Sequence, residues 1–187
     1  MLTIPDIHGV FDRRGERVYA GEPVNQREHA LQAATLAMED DAPDPLIVAA
    51  LLHDLGHMLT DEPQRPGREI DDLHQFFVLP FLRGLFPQTV LDTICLHVDA
   101  KRYLCFSDEG YYSNLSEDSK TSLRLQGGAY GKENAQKFLL RPCAADAIRL
   151  RRWDDWAKEP GKVTPPLEFF DEVMERVRTK YKMVMHS

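Results

Sequence analysis

Five histidines carry most of the chemistry this sequence can do. His29, His53, His57, His74 and His97 each lie near an apolar run, whereas His8 and His186 sit near the termini and read as surface residues. A lone imidazole on an apolar helix is more often a hydrogen-bonded core residue than a ligand. Five of them shift that balance, because burying so many without partners is costly and a shared metal satisfies several together. The sharpest local signal is Leu51-Leu52-His53-Asp54-Leu55-Gly56-His57. His53 and His57 are four apart and share a helix face, as the ligands of HExxH zinc proteases do. That mechanism needs glutamate as general base, and the second position here is the shorter Asp54. The competing reading takes His53 and Asp54 as neighbouring side chains near a helix C-terminus that bind one metal centre.

The elements that must position these residues are helical. From Gln26, Ala30, Ala33, Ala34 and Ala37 recur at helix spacing and reach Met38. Asp44-Pro45 is a good helix start, with Asp as N-cap and Pro at the first helical position. The run LIVAALLHDLGH that follows is apolar nearly all round, as a central buried helix would be. Pro66 and Gly67 close a polar loop, residues 73–86 are strongly apolar and interrupted by Pro80, and Pro87 opens a helix carrying Ile94 and His97. A short helix is expected over 116–124, a glycine break at Gly127-Gly128, and one long helix over about 132–156. Leu167, Phe170, Met174, Val177 and Tyr181 form the packing stripe of a last helix. The only strand candidate is terminal: Asp12-Arg13-Arg14-Gly15 could turn a small hairpin ending near Tyr19. The expected fold class is therefore all-α, with room for a short N-terminal β-hairpin.

Composition narrows the function. At 187 residues the chain suits one domain over 1–187 with a single sizeable core. A net charge of -7 argues against nucleic acid as a partner. Arg149, Arg151 and Arg152 cluster, but Asp154 and Asp155 follow at once, the pattern of a solvated helix face. Cys95, Cys105 and Cys143 are odd in number without CxxC spacing, which suggests neither a disulfide framework nor a thiolate zinc site. The N-terminus lacks an apolar signal run and no stretch approaches the ~18 apolar residues of a membrane span. The expectation is a cytoplasmic protein with no membrane partner.

The order His29, His53-Asp54, Asp146 resembles the HD-domain superfamily, whose simplest members are metal-dependent phosphohydrolases patterned H, HD, D. His74 and His97, placed between on separate helices, make the series similar to the two-metal branch, in which Asp54 would bridge both ions. That branch holds phosphodiesterases as well as mixed-valent di-iron oxygenases such as myo-inositol oxygenase. Tyr19-x-Gly21-Glu22-Pro23-Val24-x-Gln26-x-x-His29, Lys101 four residues after His97, and the serine-rich stretch from Leu115 to Gly128 resemble the PhnZ-type phosphonate oxygenases. The similarity runs in order through nearly the whole chain.

The resemblance implies an all-α HD domain with two iron ions, Fe(II) and Fe(III), held by His29, His53, Asp54, His74, His97 and Asp146. It implies O2 as co-substrate and cleavage of the carbon-phosphorus bond of a 1-hydroxy-2-aminoethylphosphonate-type substrate, amino or trimethylammonio, to glycine or a betaine-like acid and phosphate. Four imidazoles and two carboxylates suit iron or manganese, although zinc could also occupy such a set. The centre would remain positive and attract a small anionic phosphonate. Lys101 and His57 would donate to its oxygens, with Ser119 and Gln126 adding hydrogen bonds; Ser122 suits turn and capping chemistry better. Tyr19 would guard the open coordination position until substrate displaces it, and Glu22 would hold the tyrosine or meet the substrate's amine. An HD phosphohydrolase or a metal-dependent ligand sensor are the competing functions.

Overall fold

The computed structural model describes residues 1–19, 21–60 and 73–185. Among them run α1 (Ile4–Arg14), α2 (Gln26–Glu39), α3 (Asp44–Leu52), α4 (Leu55–Leu59), α5 (His74–Phe77), α6 (Leu79–Leu82), α7 (Gln88–Ser107), α8 (Tyr111–Asn114), α9 (Glu117–Leu125), α10 (Lys132–Leu139), α11 (Ala144–Trp156), a 3-10 turn (Leu167–Phe170) and α12 (Asp171–Met185). The described residues contain isolated β-bridges but no strand. Pro66 and Gly67 lie outside them.

The middle of the fold is α3. Every residue from Leu46 to Leu52 is buried, and α2, α7, α11 and α12 pack around it. Each fully buried Leu, Ile or Val there contributes about 1.5–3 kcal/mol. On α2 the alanines Ala30, Ala33, Ala34 and Ala37 are buried and let this helix approach α3 closely, and Asn25 opens it in a reciprocal cap with Glu28. Pro87 precedes the first turn of α7, which buries Val90, Leu91, Ile94, His97, Val98, Lys101 and Leu104. Pro80 falls in the first turn of α6, where its missing N–H costs nothing, so the apolar 73–86 stretch folds as two single-turn helices.

Two expectations are corrected. The N-terminal segment forms α1 rather than a hairpin. Thr3 and Asp6 make a capping box, and Ile4, Ile7, Val10 and Phe11 form a buried stripe at offsets of three and four. What remains of the hairpin is a single antiparallel bridge between Val18 and Asn25. The long helix over 132–156 is broken: α10 ends at Leu139, and Cys143, at φ 64, starts α11. Pro142 causes the break, because it cannot donate to the ladder and disfavours helical backbone at Arg141. His8, expected at the surface, pairs with Asp171 at 2.6 Å and ties α1 to α12; His186 lies outside the described residues.

Candidate metal centre and substrate site

The His-Asp pair sits where the central helix is interrupted. His53 keeps helical angles at the end of α3, but Asp54 leaves them (φ -102, ψ 8) before α4 begins at Leu55. The turn carries both side chains into the interior. Gly56 is essential to the arrangement: a Cβ there would lie 2.3 Å from the carbonyl oxygen of His74. Only glycine lets α4 touch α5 so closely, and that contact brings His74 to Asp54.

Asp54 serves two clusters, one with each oxygen. Its Oδ2 lies 3.4 Å from His53 Nε2 and 3.6 Å from His29 Nε2. Asp154 Oδ1 closes this first group, 3.4 Å from His29 and 3.8 Å from His53. The other oxygen, Oδ1, lies 3.2 Å from His74, 3.7 Å from His97 and 3.9 Å from His57. The rings of His57 and His74 stack at 3.9 Å. Except for half-buried His57, all these residues are buried.

The protonation pattern fits metal ions. His29 Nδ1 meets the carbonyl of Ala157 at 2.9 Å, His53 Nδ1 that of Ala50 at 2.9 Å, and His97 Nδ1 that of Ile94 at 2.7 Å. Carbonyls only accept, so these nitrogens carry hydrogen and each Nε2 presents a lone pair. Yet His29 and His53 face each other Nε2 to Nε2 at 3.2 Å, as do His74 and His97 at 3.1 Å. Asp154 Oδ1 is buried without a hydrogen-bond partner. Converging lone pairs and carboxylate oxygens 3–4 Å apart are what a cation bound at about 2.0–2.2 Å to each would gather. Burial and the neighbouring His74 and His53 hold the His97 pKa well below its usual range, which keeps it a neutral ligand. Burial would raise the Asp54 carboxyl, but the surrounding His53, His74 and His57 override it and hold it ionised.

The structure brings together His29, His53, Asp54, His74, His97 and His57, but not Asp146. On α11, eight residues advance about 12 Å and rotate about 80°, so Asp146 and Asp154 cannot serve the same place. Asp146 stands half-exposed in the first turn, while Asp154 continues the buried series Ala144, Ala147, Leu150, Arg151. Arg151 likewise departs from the solvated face expected of it. It is buried, donating to Asp154 Oδ2 at 2.7 Å, to Asp155, and through Nε to the Tyr111 hydroxyl oxygen at 3.1 Å. The guanidinium thereby overcomes the effect of burial, holds the Asp154 pKa well below the usual range and leaves Oδ1 turned to His29.

Tyr19 stacks on the His29 ring, centroids 4.2 Å apart, and donates to Asp54 Oδ2 at 2.8 Å. Gly21, at φ 70, allows the turn that follows and approaches Asp118. Glu22 does not touch Tyr19's hydroxyl; its Oε1 accepts from Ser116 Oγ at 2.5 Å and from Lys158 Nζ at 2.7 Å. Lys158 also donates to Ser119 Oγ at 3.3 Å. Lys101, buried on α7, donates to Ser122 Oγ at 2.7 Å. Burial, helped by Arg151, lowers the Lys101 pKa to about 7. Gln126 caps the end of α9.

Comparison with known proteins gives this site its family. Residues 27–135 match the HD domain. The chain is 38% identical over 176 residues to [1-hydroxy-2-(trimethylamino)ethyl]phosphonate dioxygenase (glycine-betaine-forming) of Leisingera caerulea, covering 94% of this chain and 90% of that protein. It is 37% identical over 189 residues to hydroxymethylphosphonate dioxygenase of Gimesia maris, covering 93% and 94%. An uncharacterised protein of Acanthamoeba polyphaga mimivirus is 31% identical over 176 residues. The chain belongs to the HD-domain phosphonate oxygenases. As an oxygenase of this family it works with O2 at a metal centre, and the buried histidine and aspartate clusters supply that centre.

Three residues of this oxygenase escaped sequence reasoning. Asp154 and Arg151 were legible in principle, because Ala147, Leu150 and Asp154 lie three and four apart on one buried face. Lys158 gave no signal: it lies outside any helix and meets Glu22 across 136 residues of sequence. No helix among the described residues is long and apolar enough to cross a membrane.

Proposed function

We propose that the chain is a two-iron dioxygenase that cleaves the carbon-phosphorus bond of a 1-hydroxyphosphonate. His29, His53, Asp54 and Asp154 hold one ion and Asp54, His74 and His97 the other. The observation that carries this is the Asp54 carboxylate, with one oxygen in each histidine cluster, in a chain so similar to two phosphonate dioxygenases. Bound iron would supply dioxygen activation and a Lewis acid for the substrate oxygens.

The protein's own residues prepare the rest. Imidazoles fixed by backbone carbonyls present ready lone pairs, and Arg151 holds Asp154 in one orientation. Tyr19 covers the Asp54 side of the first cluster until substrate takes its place. Lys101 is a buried ammonium facing a hydroxyl, an ion that a phosphonate would satisfy better; His57, Ser119 and Gln126 complete the phosphonate's surroundings. The two relatives' substrates, as their names give them, share a hydroxyl and a phosphonate on one carbon, and the site is read as built for that head. The amino and trimethylammonio 1-hydroxyethylphosphonates, yielding glycine or a betaine-like acid, are the substrates proposed.

The overall reaction balances without an external reductant. One 1-hydroxyphosphonate and one O2 give one carboxylic acid and one phosphate, with the C1–P and C1–H bonds broken. The test measures oxygen uptake and phosphate release with the trimethylammonio, primary-amine and hydroxymethyl substrates. The proposal expects equal amounts of the two and no phosphate without oxygen. Phosphate released anaerobically, or from phosphate esters instead, would place the chain with the hydrolases.

A further inference from the structure

One cation of the site has no part in the reading above. Lys158 follows α11 directly, and its backbone is fixed on both sides: the Ala157 carbonyl holds His29, and Glu159 exchanges two hydrogen bonds with the Gln32 side chain, at 2.8 and 3.0 Å. Its ammonium is largely buried beside Glu22 and Ser119, and lies 5.7 Å above the Tyr19 ring. Ser116, Ser119 and Ser122 follow at three-residue spacing along the start and body of α9, and Lys101 reaches Ser122 one turn beyond Ser119. A buried ammonium, Lys101, and a half-buried one, Lys158, thus both reach the hydroxyls of α9. On the same helix the Asp118 carboxyl is raised by burial and by Glu22, while Lys158, Lys101 and His57 pull it the other way.

The anion now lying on Lys158 belongs to the protein itself. Glu22 Oε1 takes hydrogen bonds from Ser116 and Lys158, the donor types a phosphonate oxygen seeks. Glu22 stands three residues after Tyr19, whose phenol rests on Asp54, and the Glu22 N–H meets the Tyr19 carbonyl at 2.9 Å. The two are joined in one turn that covers both the metal cluster and the cation.

We propose that Lys158 is a second phosphonate-binding cation, and that Glu22 occupies its anion position in the substrate-free protein. The incoming phosphonate takes Lys158 and Ser119 from Glu22. No covalent step is involved; one carboxylate is exchanged for another anion on the same ammonium. The inference rests on the phosphonate reading above.

The test is anaerobic binding of hydroxymethylphosphonate to the iron-loaded protein, followed by calorimetry, with iron content measured in parallel. Lys158→Met should weaken binding about ten- to a hundredfold, the loss of one charge-assisted hydrogen bond. Glu22→Gln should tighten it, because the competing charge is gone. Both variants should keep the wild-type iron content. A merely structural ion pair predicts the same direction for both variants, since either one breaks it. Unchanged affinity in Lys158→Met, or weaker or unchanged binding in Glu22→Gln, overturns the inference and leaves the dioxygenase reading standing. Should Lys158→Met not fold, the sign of the Glu22→Gln effect decides alone. If the wild-type protein itself fails to bind hydroxymethylphosphonate, the phosphonate reading falls first.

Discussion

Replacing Asp154 with asparagine removes one carboxylate from two jobs. Its Oδ2 is the partner of buried Arg151 at 2.7 Å, and its Oδ1 points between His29 and His53. Removing one member of a buried ion pair costs about 3–5 kcal/mol. Asparagine keeps the shape and Arg151 retains Asp155, so the low end, about 3 kcal/mol, is expected in the metal-free protein. For a chain of this size that lowers Tm by about 6–12 °C. Iron bound per chain should fall by one, because among the described residues the first cluster then keeps no carboxylate besides the shared Asp54. Asp146→Asn, on a half-exposed position away from the cluster, should stay within about 0.5 kcal/mol of wild type with full iron content. Thermal unfolding of metal-free samples and iron analysis of loaded ones read both effects. Iron lost from Asp146→Asn but retained in Asp154→Asn would refute the ligand set.

His97→Ala should remove the ion of the second cluster and leave that of the first, giving one iron per chain by elemental analysis. Tyr19→Phe should keep both irons, since the ring that stacks on His29 is retained and the phenol is not one of the proposed ligands, while losing any visible absorption due to phenolate; an identical spectrum would remove Tyr19 from the proposed gate over the metal. Lys101 sits among Arg151, Lys158, Asp154 and Asp155, and its pKa near 7 in the substrate-free protein means that the ammonium form is lost as pH rises through neutrality. Phosphonate affinity should therefore fall on the alkaline side of about pH 7, by at most about tenfold per unit, and Lys101→Met should be weak at every pH and lack that limb; a wild-type affinity flat between pH 6 and 9 would contradict the assignment.

The clustering of His29, His53, His74 and His97 was legible because each lies beside a buried apolar run, where an imidazole must find a partner. The His53-Asp54 adjacency further marked the end of α3. The expected sixth residue, Asp146, falls outside the cluster for a local reason. Asp146 and Asp154 sit on one helix, and only the phase set by Ala147 and Leu150 shows which faces inward. Apolar residues flanking Asp12-Arg13-Arg14-Gly15 suggested a turn between strands, whereas Thr3 and Asp6 had already supplied the signature of a helix start. Pro142 was the missed breaker in the long C-terminal helix. The pairing of Glu22 with Lys158 is a tertiary contact without periodicity or spacing, so the sequence carries no trace of it.

The proposed pair of irons bridged by Asp54 can be read from spectroscopy of iron-57-loaded protein. Mössbauer and EPR measurements on the form oxidised by one electron from the all-ferrous state should show two irons per chain. They should appear as one ferrous and one ferric ion whose spins are coupled through the bridge. A single iron per chain, or two irons without magnetic coupling, would contradict it.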